Sequence, residues 1–144
     1  MELKRIAVCV DFSNITPKVL EWSGEEAKKF GAKVELVHVL EETMPRLAQE
    51  LLELHTLYDK LREVTEKRLD DYKEELTSKY GVEVETKILN GEPFDAILDY
   101  LEETKPDLVV VGAHGKKGVK RILLGSTSEK VARKSPVNVV IIKH

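Results

Sequence analysis

Five short apolar runs, each separated from the next by a stretch of helical character, limit what this chain can fold into. They are RIAVCV at 5–10, KVELVHVL at 33–40, VEVETKIL at 82–89, DLVVVG at 107–112 and VNVVII at 137–142. Runs of this length, rich in β-branched residues and bounded by Gly, Pro, Asp and Asn, read as strands. RIAVCV and DLVVVG are continuously apolar, as strands buried on both faces are, whereas VEVETKIL alternates like an edge strand with one solvated face. Between the runs lie helix signals. Thr16 is the expected N-cap and Pro17 the first helical residue of a helix that runs to about Phe30, where Gly31 ends it. From 45 to 79, Leu47, Leu51, Leu54, Tyr58 and Leu61 step by four and three, and Leu69, Tyr72 and Leu76 resume the step. They predict one long helix with a face on the sheet, stopped by Gly81. The near-heptad spacing leaves a coiled-coil contact as the alternative. Asn90-Gly91 marks a turn, Pro93 opens a helix to about Glu103, and a last helix covers 127–134 before Pro136. Strand–helix alternation of this kind predicts an α/β fold, a parallel sheet with helices on both faces. No repeat, low-complexity tract or linker divides the chain, so residues 1–144 are expected to form a single domain.

Composition narrows the function classes. The formal charge is −3 and no basic tail or long cationic run occurs, which predicts no nucleic-acid partner. No apolar stretch is long enough to span a bilayer, and the apolar run near the N-terminus is too short for a signal peptide. No membrane partner and a cytoplasmic location are the resulting expectations. Cys9 is the single cysteine, so no intrachain disulfide can form, and its apolar run predicts a buried thiol.

One segment stands apart. GAHGKKGVKRILLGS, residues 112–126, holds four of the eight glycines and four of the 23 basic residues. It follows the valine-rich fourth run directly. In an open parallel sheet, ligands bind beyond the carboxyl ends of the strands, where the winding direction reverses. Glycines there let backbone amides approach a ligand, successive amides form an anion nest, and a following helix N-terminus favours phosphate. The segment thus has the makings of a phosphate cradle, with Lys116, Lys117, Lys120 and Arg121 adding positive charge. A ligand-free reading is also available: Ser126-Thr127-Ser128-Glu129 forms an S-x-x-E capping box, and Gly112 and Gly115 can serve a tight strand exit. Neither the P-loop spacing nor the dinucleotide fingerprint G-x-G-x-x-G is present. Receiver domains share the alternation but carry an acidic pair after the first strand and an aspartate after the third. Here Asp11 stands alone and the third run ends Ile88-Leu89-Asn90.

Gly112-x-x-Gly115, nine residues, then Gly125-Ser126 resembles the G-2x-G-9x-G-S/T motif of the universal stress protein family. Asp11-Phe12-Ser13 at the end of the first strand, the Gly91-Glu92-Pro93 turn and the final VNVVII add to the resemblance, which covers essentially the whole chain. It implies a three-layer α/β/α sandwich of the adenine nucleotide alpha hydrolase-like type, with a five-stranded parallel sheet in the order 3-2-1-4-5. Asp11 and Gly112 would then flank one crevice. Because the full glycine motif is kept, the resemblance is to the ATP-binding subclass, and it implies ATP, with Mg²⁺ or Mn²⁺, as the cofactor. Carried over by residue, Val10, Asp11, Phe12 and Ser13 would line the adenosine end, with Asp11 accepting from a ribose hydroxyl. Val39 would pack on adenine. Gly112, Ala113, His114, Gly115, Lys116, Lys117 and Gly118 would wrap the ribose and phosphates, and Gly125, Ser126 and Thr127 would offer amides and hydroxyls to the phosphates.

Phosphoryl transfer needs positioning, charge stabilisation and a group that orients the nucleophile. The sequence supplies the first and shows no evident catalytic base, so the expectation is a nucleotide-dependent switch or stress-signalling module with at most weak ATPase activity. A loop at 113–124 that changes order with ATP would be its mechanism. The resemblance also implies a homodimer through the C-terminal strand, 137–143. It leaves two alternatives: an interaction protein with a vestigial nucleotide site, and a protein that binds another adenine nucleotide such as AMP.

Overall fold

The structure, a computed structural model, describes residues 2–41, 52–113 and 126–143, with 52–55 and 126 as backbone. In chain order the described elements are β1 (Arg5–Cys9), α1 (Thr16–Phe30), β2 (Lys33–Leu40), α2 (Leu52–Tyr80), β3 (Val84–Asn90), α3 (Pro93–Thr104), β4 (Leu108–Gly112), α4 (Ser126–Lys134) and β5 (Asn138–Ile142). The five strands form one sheet in the order β3-β2-β1-β4-β5. Every pairing is parallel, and β1 is the middle strand, in register with β2 from Arg5↔Lys33 to Cys9↔Val37 and with β4 from Ile6↔Leu108 to Val8↔Val110. This is the α/β sandwich and strand order that the family resemblance implies.

Side chains alternate across a strand, so each strand feeds two cores. Ile6, Val8, Val34, Leu36, Leu108 and Val110 turn to one face, where Val19, Leu20 and Ala27 of α1 and Leu69 and Leu76 of α2 meet them. Ala7, Val37, Val109 and Val111 turn to the other, against Ile97 and Leu101 of α3 and Val131 of α4. A connection that leaves β1 on one face and one that leaves β4 on the other opens a crevice between them at the carboxyl rim. Gly31 ends α1 in the left-handed conformation, φ 65°, its amide bonded to the carbonyl of Ala27.

Two sequence expectations need correction. Thr16 is not the N-cap of α1. The helix starts at Thr16 itself, Ile15 holds the cap position, and no side chain caps it. The entry is made by backbone instead: the amide of Thr16 donates to the carbonyl of Ser13 at 3.1 Å. Nor do the leucines of α2 share one face on the sheet. Leu69 and Leu76 are buried, but Leu57 is 59% exposed, Leu61 51% and Val64 57%. The cause is length. A helix of 29 residues extends about 43 Å, whereas a strand of 7 residues extends about 23 Å. Helix α2 therefore buries its apolar face on the sheet mainly in its second half, and from its first half Tyr58 reaches the end of β3 by donating to Asn90 Oδ1 at 2.7 Å. Leu47 and Leu51 lie outside the described residues, as does the side chain of Leu54.

At the amino rim, away from the crevice, the sheet is tied by a polar cluster. Arg5 donates from Nε to Glu35 Oε2 at 2.6 Å, from one terminal nitrogen to Glu35 Oε1 at 3.1 Å and from the other to the carbonyl of Thr104 at 2.6 Å. The Tyr100 hydroxyl also donates to Glu35 Oε1. The carboxylate of Glu35, though buried, thus receives three hydrogen bonds, as a buried charge requires. Asp107 Oδ2 accepts from the amides of Lys4 and Arg5, 2.9 Å each, holding the start of β4 against β1.

Candidate nucleotide site

A cleft of about 220 Å³ lies at the carboxyl rim between β1 and β4. Strands end here without side-chain cover because the connections depart to opposite faces. Its walls are mostly apolar: Val10, Ile15, Val19, Val37, Val39, Pro93, Ile97 and Val111. Polar groups come from Asp11, Thr16, His38, Glu41, Thr127 and Ser128, with Cys9 also on the lining. Burial, and secondarily the charge of Asp11, push the Cys9 thiol up to about 12, so it stays protonated and inert at neutral pH.

The β1 exit builds one side. The amide of Val10 still bonds to the carbonyl of Val37 at 2.9 Å, which keeps the chain on the sheet as far as residue 10. The next residue but one turns sharply: Phe12 has φ 62°. For a residue with a Cβ this left-handed conformation costs on the order of 1–2 kcal/mol. The ring compensates by stacking. It lies 4.4 Å from the His38 ring at 29°, and the Arg68 guanidinium stands 3.9 Å from its centroid. Two groups cannot occupy one face of a ring at those distances, so the ring is clasped between them. Beyond the turn, Asp11 Oδ1 accepts from the amide of Ser13 at 3.0 Å and from the Thr16 hydroxyl at 3.5 Å. This is an Asx turn, in which a short carboxylate mimics a backbone acceptor. Oδ2 accepts no hydrogen bond from the described residues, so one oxygen builds the turn and the other takes no part in it.

The β4 exit builds the opposite side. Gly112 passes so close to α1 that a Cβ on it would stand 2.5 Å from Ile15 Cγ2. A side chain does not fit there, which accounts for this glycine by packing alone. The Ser128 hydroxyl donates to the Gly112 carbonyl, tying the strand end to the first turn of α4. Glu129 pairs with Arg133 one turn on, at 2.5 Å.

Of the residues expected from sequence, the cleft brings together Val10, Asp11, Val39, Gly112 and Thr127. Phe12 and Ser13 are not among its lining residues: Phe12 turns to His38 and Tyr72, and the buried Ser13 Oγ has no hydrogen-bond partner among the described residues. Ala113 is buried, and its amide bonds to the carbonyl of Ile142 at 2.8 Å, inside the sheet. His114, Gly115, Lys116, Lys117, Gly118 and Gly125, and the side chain of Ser126, lie outside the described residues. Sequence reasoning missed Cys9, Thr16, His38, Pro93 and Ser128 as lining groups. A histidine near the carboxyl end of the run KVELVHVL was the available signal for His38.

The described lining combines apolar walls with the carboxylates of Asp11 and Glu41 and the hydroxyls of Thr16, Thr127 and Ser128. No Lys or Arg lines the cleft among the described residues. Nor do the described residues hold a cluster of three His, Cys, Asp or Glu side chains suited to a metal. None of their helices is long and apolar enough to cross a membrane.

Comparison with known proteins gives a consistent result. The family model described as the universal stress protein family matches residues 2–143. A universal stress protein of Methanocaldococcus jannaschii is 31% identical over 97% of this chain and 82% of its own length. YxiE of Bacillus subtilis, also a universal stress protein, is 32% identical over 96% of this chain and 98% of its own. Among solved structures, UspA from Lactobacillus plantarum superposes with a TM-score of 0.88 at 24% identity, covering 99% of both chains. A universal stress protein in complex with cAMP matches with a TM-score of 0.66 at 24% identity, over 99% of this chain and 98% of that one. An Arabidopsis thaliana member with AMP bound matches at 0.69 and 22% identity, over 98% and 92%.

Proposed function

The chain belongs to the universal stress protein family, and on that premise we propose that its carboxyl-rim cleft binds an adenine nucleotide, ATP in the first place, and that occupancy switches the protein between two states. The observation that carries the reading is the divided carboxylate of Asp11: Oδ1 is committed to the turn at Ser13 and Thr16, and Oδ2 accepts from none of the described residues, in a cleft whose walls are mostly apolar. A free carboxylate oxygen between apolar walls fits the paired hydroxyls of a ribose beside a base. The cAMP and AMP complexes of two proteins of the same fold support the choice of adenine.

In this reading Val10 and Val39 pack on the base and Asp11 Oδ2 accepts from a ribose hydroxyl. Thr127, with the amides that open α4, meets the phosphates, where a helix N-terminus favours negative charge. The glycine motif from Gly112 to Ser126 completes that end, with Lys116 and Lys117 supplying the positive charge that the described lining lacks. Mg²⁺ or Mn²⁺ would enter with the phosphates, which are its preferred oxygen ligands. The switch is a change in the 113–124 segment between free and bound protein. The strand β5, at the sheet edge with Val139 to Ile142 half-buried, supports a homodimer through 137–143, since an apolar edge of that kind pairs with another strand.

The test is calorimetric titration of nucleotide-free protein with ATP and Mg²⁺, and separately with AMP, beside Asp11→Ala and Gly115→Val. Micromolar binding corresponds to about 8 kcal/mol and adds about 2.7 kcal/mol to stability at a hundredfold excess over Kd. Loss of binding in both variants supports the site. No heat with either nucleotide overturns the nucleotide reading and favours an interaction protein built on the β5 edge.

A further inference from the structure

We propose that His38 is a positioning residue for this cleft: by donating to the carbonyl at which β1 ends and stacking on Phe12, it holds the left-handed turn that presents Asp11. The proposal deepens the nucleotide reading above and, for its effect on affinity, rests on it.

The geometry begins with an unambiguous proton. His38 Nδ1 lies 2.7 Å from the carbonyl oxygen of Val10. A carbonyl can only accept, so Nδ1 carries the hydrogen, and the tautomer is set by this contact. The bond joins two strands at a functional point. Val10, one residue past the end of β1, is still tied to β2 through its amide, and Asp11 follows it directly. His38 therefore fixes the peptide plane from which Asp11 departs.

The same ring fixes the next residue. Phe12 has the positive φ that glycine or asparagine would adopt more readily. A phenylalanine there is explained by its ring, which His38 and Arg68 clasp and Tyr72 approaches at 5.9 Å. Imidazole thus acts twice on one turn, by its hydrogen bond on residue 10 and by its face on residue 12, and the residue between them is Asp11. The Asx bond from the Ser13 amide to Asp11 Oδ1 closes the turn on the far side. If the turn relaxes, Oδ1 loses that donor and Oδ2 loses its fixed place in the cleft.

A position held this way has a specific substitution pattern. In His38→Asn the amide nitrogen stands the same number of bonds from Cα as Nδ1 and can donate to the Val10 carbonyl, while the stacking face is largely lost. His38→Leu keeps bulk and loses the donor. Leu76→Val, in the α2 core away from the cleft, serves as a control for general loss of stability.

Two quantities are measured on each variant: the Kd for AMP and for ATP with Mg²⁺, and, in ligand-free protein, the exchange rate of the Ser13 amide by NMR. The expected result is a Kd at least tenfold weaker and a Ser13 amide at least tenfold faster in His38→Leu. Both should return most of the way to wild type in His38→Asn and be unmoved in Leu76→Val. A wild-type Kd or a wild-type Ser13 exchange rate in His38→Leu overturns the proposal, as does a Leu76→Val variant that matches His38→Leu. If the wild-type protein itself binds neither nucleotide, the functional reading fails. The Ser13 exchange rates then decide alone whether His38 holds the turn.

Discussion

Gly112 and Ile15 meet so closely that the first carbon of any side chain on Gly112 would stand 2.5 Å from Ile15 Cγ2. The contact seals the strand end against α1, just below the cleft. Gly112→Ala is expected to lower stability by about 1–3 kcal/mol, the usual cost of overpacking. Ile15→Ala removes the colliding methyl at the cost of a cavity. The double variant should therefore lose clearly less than the sum of the two single losses, by on the order of 1 kcal/mol. Urea denaturation of the four proteins checks this, and strict additivity would show that Gly112 serves something other than this contact.

Cys9 offers a chemical readout of the cleft. With the thiol pushed up to about 12, the reactive thiolate fraction rises tenfold with each pH unit across the whole accessible alkaline range. An unperturbed cysteine levels off near 8.5. Alkylation of folded protein by iodoacetamide should thus be slow at pH 7 and climb log-linearly to pH 10 without a plateau. Saturating nucleotide should slow it further, because Cys9 lines the cleft. A plateau between pH 8 and 9 would contradict the burial argument.

At the amino rim, Tyr100 is one of three donors to the buried carboxylate of Glu35. Tyr100→Phe removes one hydrogen bond to a charged group and leaves the two from Arg5 in place. A loss of about 1.5 kcal/mol is expected, with nucleotide affinity unchanged, since the cluster and the cleft sit at opposite ends of the sheet. Thermal unfolding and a binding titration on the same variant separate the two effects.

Asp107 predicts a pH dependence. The amides of Lys4 and Arg5 donate to its carboxylate and hold its pKa below the ordinary aspartate value of 3.8. A lowered folded pKa means that the unfolded chain binds the proton first. The contribution is complete well above pH 3.8, and it is lost as pH falls past that value towards the lower folded pKa. The stability gap between wild type and Asp107→Asn should accordingly be constant from pH 7 to pH 5 and shrink below pH 4. A gap independent of pH down to 2.5 would remove the carboxylate from the account.

The order of strands and helices was legible because it rests on local signals. Gly31 and Gly81 stop helices, Pro93 starts one, and VVVG reads as a buried strand on its own. Asp11 and Gly112 were legible through the spacing of a motif. What escaped depends on partners distant in sequence. Nothing near His38 announces a bond to Val10, nothing near Tyr100 announces Glu35, and Thr16 looks like a cap until the turn at Asp11 makes a cap unnecessary. The misreading of Leu61 has a similar origin. Periodicity reports that a helix has an apolar face, but only the length of the neighbouring strand tells how much of that face is covered.

The central place of β1 has a consequence for how the chain comes to be folded. β1 is synthesised first and is paired on one side by β2, which ends at Leu40, and on the other by β4, which starts only at Leu108. At about 10 residues per second, within the range of translation rates, several seconds pass between the two events. Through that interval the apolar segment Arg5–Cys9 presents an open backbone edge on the nascent chain. That edge is a template for pairing with other chains, and closing it joins residues so far apart that this step is intrinsically slow. The strand that organises the finished molecule is thus exposed to aggregation while it is being made.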